Sequence, residues 1–174
     1  MLSDLLLLAP AAIVFAILLL LSRRDRGVPD VEEHAPQEDE VPSNAIVVDG
    51  SNVMYWGGEP SPVVLSLVLR SLENKGYAPI VFFDANVGYV LGDRYYDELK
   101  LALLTGITKA HICVVHKGVV ADEAILAFSK DHKLRIVTND NYRDWRVQFP
   151  HTQKKGQLVK GTFSEGAVRW KGQL

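Results

Sequence analysis

Residues 45–56 read AIVVDGSNVMYW. Four apolar residues, mostly β-branched, run straight into Asp49 and Gly50. A short apolar run halted by a turn pair reads as a strand buried on both faces, the kind that parallel sheets use. Asp49 has two readings here: a turn residue that ends the strand before Gly50, or the first ligand of a metal site.

The same pattern recurs along the chain. PIVFFD (79–84), HICVVH (111–116) and LRIVT (134–138) are further short apolar runs. Segments with helical spacing lie between them. Residues 62–75 open on Pro62 and stop before Gly76, a matched start and stop. Residues 93–104 and 121–131 read as two more helices, the latter with acids in its first turn, where the helix dipole favours them. YRDWRVQF (142–149) reads as a short helical turn, and QLVKGTFSEGAVRW (157–170) as one or two final strands. The order βαβαβαβ predicts an α/β fold with a parallel sheet and helices on both faces. Ligands of such sheets bind at the carboxyl ends of strands. Asp49, Asp84 and Asp140 all fall there.

The first 44 residues are of another kind. Residues 5–21, LLLLAPAAIVFAILLLL, carry no charge. Seventeen residues at about 1.5 Å each give roughly 25 Å of helix, enough to cross a hydrocarbon core with help from the flanks. A signal peptide would want a basic n-region and a small-x-small cleavage site. Neither is present, so residues 1–22 read as a transmembrane anchor. Arg23, Arg24 and Arg26 follow at once, which places the remainder on the cytoplasmic side of a single-pass membrane protein. Residues 23–44 hold three Pro and seven acids and read as a linker. It spans on the order of 25 Å as a coil. The body, 45–174, is long enough for one domain with a core. It has 16 basic and 13 acidic residues, against 3 and 8 before it. A mildly basic body permits a nucleic-acid partner without demanding one. The single Cys113 excludes an internal disulfide and agrees with a reducing compartment.

Several chemistries lack their motifs. No G-x-x-x-x-G-K-[ST], G-x-G-x-x-G or G-x-S-x-G occurs, and no Cys/His spacing suits zinc. A phosphatase with D-x-D after its first strand is unsupported, since the sequence is Asp49-Gly50-Ser51. His111 and His116, five apart on one predicted strand, point to opposite faces. What remains is acids: Asp49 after strand one, Asp122 and Glu123 at the start of a helix, Asp140 after strand four, and Asp144 in NDNYRDW. If 141–146 is helical, Asp140 and Asp144 share one side, a turn apart. Gathered carboxylates repel one another, and a divalent cation usually offsets that cost. Oxygen-only ligands suit Mg²⁺ or Mn²⁺. Each acid also has a plain structural reading, as a turn residue, a cap, a dipole partner or a surface charge.

VVDGSNVMYW, ADEAILAFSKD and IVTNDNYRDW together resemble the NYN branch of the PIN-like ribonucleases, most closely the Regnase-type nuclease domain, over residues 44–150. The resemblance implies a PIN-like three-layer α/β/α sandwich with a central, mainly parallel sheet, here preceded by one transmembrane helix. It implies a membrane-anchored endoribonuclease that hydrolyses single-stranded or loop RNA with carboxylate-held Mg²⁺ (or Mn²⁺) and needs no nucleotide cofactor. A homodimer is a family expectation. By position, Asp49, Asp122, Asp140 and Asp144 would be the metal-binding acids, with Glu123 beside them. Asn52 would position a phosphate or a metal-bound water. Arg143, Arg146, Lys154 and Lys155 are candidates for the RNA backbone, and Tyr142 or Trp145 for base stacking. Gly50 is read as the residue that lets the chain turn away from the strand. The alternative function is a non-catalytic module that binds RNA or protein at the membrane.

Overall fold

A computed structural model describes residues 41–92 and 94–174. The predicted membrane helix at 5–21 and most of the linker lie outside the described residues. Among the described residues no helix is long and apolar enough to cross a membrane.

The body is a six-stranded sheet: β1 (Ala45–Asp49), β2 (Ala78–Phe83), β3 (Ile112–Val114), β4 (Ile136–Val137), β5 (Leu158–Ser164) and β6 (Ala167–Lys171). The strand order is β3-β2-β1-β4-β5-β6. The first five strands are parallel, and β6 returns antiparallel to β5 as a hairpin. Side chains alternate across the sheet, as the pleat requires. Ile46, Val48, Val81 and Phe83 enter one core with Leu65, Val68, Leu72 and Leu101. Val47, Ile80, Phe82 and Ile136 enter a second core with Ile125, Leu126 and Phe128. Two cores on two faces make the three-layer α/β/α arrangement that the sequence predicted.

The helices follow local signals. α1 (Gly50–Val53) is a single turn begun by Asp49, whose side chain accepts from Asn52 N. α2 (Pro62–Glu73) is capped by Ser61 Oγ accepting from Val64 N, with Pro62 inside its first turn. α5 (Ala121–Asp131) coincides with the predicted segment and buries Ile125, Leu126 and Phe128.

The predicted helix at 93–104 is corrected. The chain forms α3 (Val87–Gly92) and then α4 (Glu98–Thr105), with a loop between. Asp97 starts α4 afresh by accepting from Lys100 N at 2.8 Å. The loop also doubles back onto α3. A Cβ on Gly88 would lie 2.2 Å from Arg94 O and 2.4 Å from Tyr96 N. The strand predicted at 111–116 is only Ile112–Val114, with Lys109–His111 as a 3-10 turn before it, so both histidines flank the strand.

The topology fixes where a site can form. From central β1 the chain steps outward to β2 and β3. It then crosses back to β4 on the other side of β1. The switch point therefore lies between the carboxyl ends of β1 and β4, the expected ligand crevice of such a sheet.

Candidate active site

Asp49 ends β1 at that switch point and is only 6% exposed. Its Oδ1 accepts from Asn52 N at 3.0 Å. Its Oδ2 accepts from Thr138 Oγ1 at 3.0 Å and from Tyr142 Oη at 3.2 Å. Thr138 Oγ1 in turn accepts from Asp140 N at 3.0 Å. Burial pushes the Asp49 carboxyl up to about 6, assisted by the charge of Asp122 and opposed by the three hydrogen bonds.

The turn after Asp49 fastens both neighbouring strand ends. Ser51 Oγ accepts from Asp84 N at 2.9 Å, which holds the end of β2. Asn52 Oδ1 accepts from Asn139 N at 2.9 Å, which holds the end of β4, and from Trp56 Nε1 at 3.3 Å. Asn52 is thus a clasp between strand ends as well as a neighbour of Asp49. Trp56 packs edge-on against Trp170 and lies beneath Gly161 of β5. Gly50 has a reason different from the turn read in the sequence. A Cβ there would come within 2.6 Å of the Phe83 ring and 2.9 Å of Phe82 O. Close packing against β2, with no positive φ, is what requires glycine.

The second acid is Asp122, half-buried in the first turn of α5. Burial raises its carboxyl, as do the charges of Asp140 and Asp84, while a hydrogen bond from Trp145 lowers it. Asp49, Asp122, Asp140 and Asp84 are therefore one electrostatic group, linked through Asp122. Asp84 was not among the predicted site residues. Its position after β2, at the same sheet edge as Asp49, was the available signal.

The remaining predicted residues are distributed unevenly. Tyr142 has φ +46, which breaks the chain between Asp140 and the 3-10 turn Arg143–Trp145. Asp140 and Asp144 are therefore not one turn apart on a helix. Asp144 is exposed on that turn. Glu123 is exposed and accepts from Gln148 Nε2 at 3.3 Å. Tyr142 is 1% exposed and commits its hydroxyl to Asp49, so it is no stacking platform. Trp145 is half-buried against Phe149 and bonded to Asp122.

Arg143 lies at the acid end, within electrostatic range of Lys160. Lys160, on β5, bonds Asn139 O and Asn141 Oδ1 and feels the charge of Asp140. The sequence reading missed it. Arg146 is exposed just beyond the 3-10 turn. Lys154 and Lys155 are at the other end of the sheet. They precede β5, which starts beside Ile136 in parallel register. Lys154 is near His151, which contacts Ser129 on the far end of α5 from Asp122. Seven residues of helix place Ser129 about 10 Å along the axis from Asp122.

The model of the Zc3h12a-like ribonuclease NYN domain family matches residues 42–168. The chain belongs to that family. Two solved structures of the nuclear protein-only RNase P 2 (PRORP2) of Arabidopsis thaliana resemble this NYN domain in fold, each with TM-score 0.58. Identity is 21% and 19% over 73% and 77% of this chain. The chain spans 29% and 30% of those proteins' length, so the likeness is one of fold in a single domain. No curated protein sequence matches.

Among the described residues, no three His, Cys, Asp or Glu side chains converge into a ready-made metal cage. The donor chemistry of this NYN domain nevertheless suits a hard cation. The gathered groups are all carboxylates. Asp49 and Asp122 owe their upward displacement to burial and to other acids, with no basic side chain among the causes. Mg²⁺ typically keeps several waters and needs only one or two protein carboxylates beside a substrate phosphate.

Proposed function

We propose that the chain is a divalent-metal-dependent endoribonuclease that hydrolyses single-stranded or loop RNA at the switch-point acids. The observation that carries this is Asp49. A buried carboxylate held by Thr138, Tyr142 and Asn52 lies within electrostatic reach of Asp122, in a domain of a ribonuclease family.

Asp49, Asp122 and Asp140 would hold Mg²⁺ or Mn²⁺. Such an ion, when bound, polarises the scissile phosphate and lowers the pKa of a water. The chain supplies the positioning. Thr138 and Tyr142 fix the rotamer of Asp49, and Trp145 fixes Asp122. Asp84, with its backbone pinned by Ser51, orients the attacking water from the β2 side and takes its proton on a carboxylate oxygen. Arg143 and Lys160 meet the non-bridging phosphate oxygens. As the bond from phosphorus to the 3′ oxygen breaks, that oxygen would take a proton from solvent, so the products would carry 5′-phosphate and 3′-hydroxyl ends.

Residues 5–21 would tether this activity to a membrane, with Arg23, Arg24 and Arg26 keeping the domain on the cytoplasmic side. The support for that is the uncharged run and its basic flank. The deciding experiment is cleavage of a labelled single-stranded RNA by the full chain, wild type against Asp140→Asn, with Mg²⁺ and with EDTA. Cleavage that both the substitution and EDTA abolish supports the enzyme. RNA binding that EDTA does not alter, with no cleavage, would establish a binding module instead.

A further inference from the structure

Beyond the carboxyl ends of β2 and β3 the surface folds into a groove of about 570 Å³. That is within the roughly 300–1,000 Å³ range of small-ligand sites. Asn86, Tyr89, Tyr95 and Glu98 form one side, and His116 and Lys117 the other. Tyr89 is 60% exposed and Tyr95 61%. Neither ring belongs to either apolar core.

The groove adjoins the acid group along the chain. Asn86 follows Asp84 by two residues. Lys117 stands on the β3–α5 loop, the same loop that delivers Asp122 five residues later. Asp84 and Asp122 act on each other electrostatically. Both walls are therefore formed by segments that also carry carboxylates of the proposed reaction centre.

We infer that this groove is the subsite for a nucleoside of single-stranded RNA adjoining the scissile phosphate. Tyr89 and Tyr95 are its stacking surface, Asn86 meets a base edge, and Lys117 meets the backbone. The inference rests on the ribonuclease reading of the acids, because it is their position that makes a phosphodiester chain the occupant. The lining is mixed: Lys117 supplies a cation, while the charges of Glu98 and Asp97 act on Tyr95, so stacking and not charge carries the argument. Aromatic faces beside a cation bind single strands with little regard to sequence, since every base offers a π-face. An amide at the rim adds a donor and an acceptor for modest base preference.

The test measures binding of a 5′-fluorescein single-stranded RNA octamer of mixed sequence by anisotropy, using the full chain in an Asp140→Asn background. Tyr89→Ala and Tyr95→Ala are expected to raise Kd by roughly 5- to 150-fold each. Tyr89→Phe and Tyr95→Phe, which keep the ring, stay within about twofold of the parent. In the wild-type background the Ala variants raise KM and leave kcat little changed. An octamer carrying 4-thiouridine should photo-crosslink within residues 84–99 or 115–117. Leu103→Ser, on the outer face of α4, serves as a control that alters neither quantity. If both Ala variants bind like the parent while melting normally, or if crosslinks fall elsewhere, the inference is wrong. If the wild type cleaves RNA and the groove variants match it, the groove alone is refuted. If the wild type does not cleave but the Ala variants weaken binding, the ribonuclease reading falls and the groove is an RNA-binding surface with no scissile phosphate beside it, which overturns the subsite assignment.

Discussion

Asp49→Asn should abolish cleavage and at the same time stabilise the metal-free chain. The Asp49 carboxyl sits at about 6 instead of 3.8 because it is buried. Ionising it inside the fold therefore works against folding by about 3 kcal/mol at neutral pH. Asn removes the charge and keeps an oxygen for Asn52 N. It also turns the other side into an amide donor facing Thr138 Oγ1 and Tyr142 Oη. Rearranging those two hydroxyls costs about 1 kcal/mol. The net expectation is a gain of about 1–2 kcal/mol at pH 7.5 in EDTA, or several degrees in Tm. The pH dependence has a definite sign. Between pH 3.8 and about 6 the folded chain keeps a proton on Asp49 that the unfolded chain has released. Wild-type stability therefore falls as pH rises through that window, and the advantage of the variant shrinks toward pH 4. Mg²⁺ should reverse the order by stabilising only the wild type. At a hundredfold above Kd that amounts to about 2.7 kcal/mol, more than the advantage of the variant. The assay is thermal or denaturant unfolding of both chains across pH 4–7.5, with and without Mg²⁺. A variant that melts well below wild type at pH 7.5 in EDTA would refute the view that Asp49 is an uncompensated buried charge.

Three further outcomes are expected. Asp84→Asn should lower kcat by about 10²-fold or more, the range for loss of a general base, while leaving the Mg²⁺-dependent rise in Tm in place. Equal loss of both would make Asp84 a metal ligand instead. Lys160→Ala should weaken RNA binding several-fold, and the double change Lys154→Ala, Lys155→Ala should leave binding and cleavage within twofold; the reverse pattern in an anisotropy titration would contradict the placement of the two ends of the sheet. Tyr142→Phe removes one donor to Asp49, so the acid limb of the kcat/KM profile should move to higher pH, with a stability loss of about 0.5–1.5 kcal/mol. An unmoved limb would mean that Asp49 does not govern it.

The sequence was most readable where punctuation was local. β1 ends at an Asp-Gly pair, and α5 opens on two acids; both have the boundaries expected from those signals. It was least readable where the cause is a backbone contact that no side-chain pattern announces. The chain folds back on Gly88 because the backbone of Arg94 and Tyr96, six and eight residues further on, presses against it. Gly50 looked like a turn glycine and is a packing glycine. Lys154 and Lys155 follow the acids closely in sequence, yet the chain must return to the amino edge of the sheet before a parallel β5 can begin. With the direction of the tail strands unassigned, proximity in sequence was the only guide to those lysines, and it misled. Lys160 was missed for the complementary reason: strand register brings it to the site, and a single residue does not display register. Asp84 was legible as a strand-end acid and was left out only because the family motifs do not mark it.

The hydrogen bonds that position the acids also hold the sheet together at its switch point. Ser51 fastens β2, Asn52 fastens β4, and Asp49 itself joins the end of β1 to Thr138 and Tyr142. The fold therefore fixes Asp49, with its neighbouring strand ends, before any ligand arrives. Asp122 depends on a different tether, the indole of Trp145, half-buried on a short 3-10 turn after a residue in left-handed backbone. The two halves of the acid group should thus differ in rigidity, since one is anchored in the central strands and the other by a single surface-connected contact. The Asp122 side is then the part that a cation and a phosphate would draw inward. This accounts for carboxylates that influence one another without forming a closed cage among the described residues.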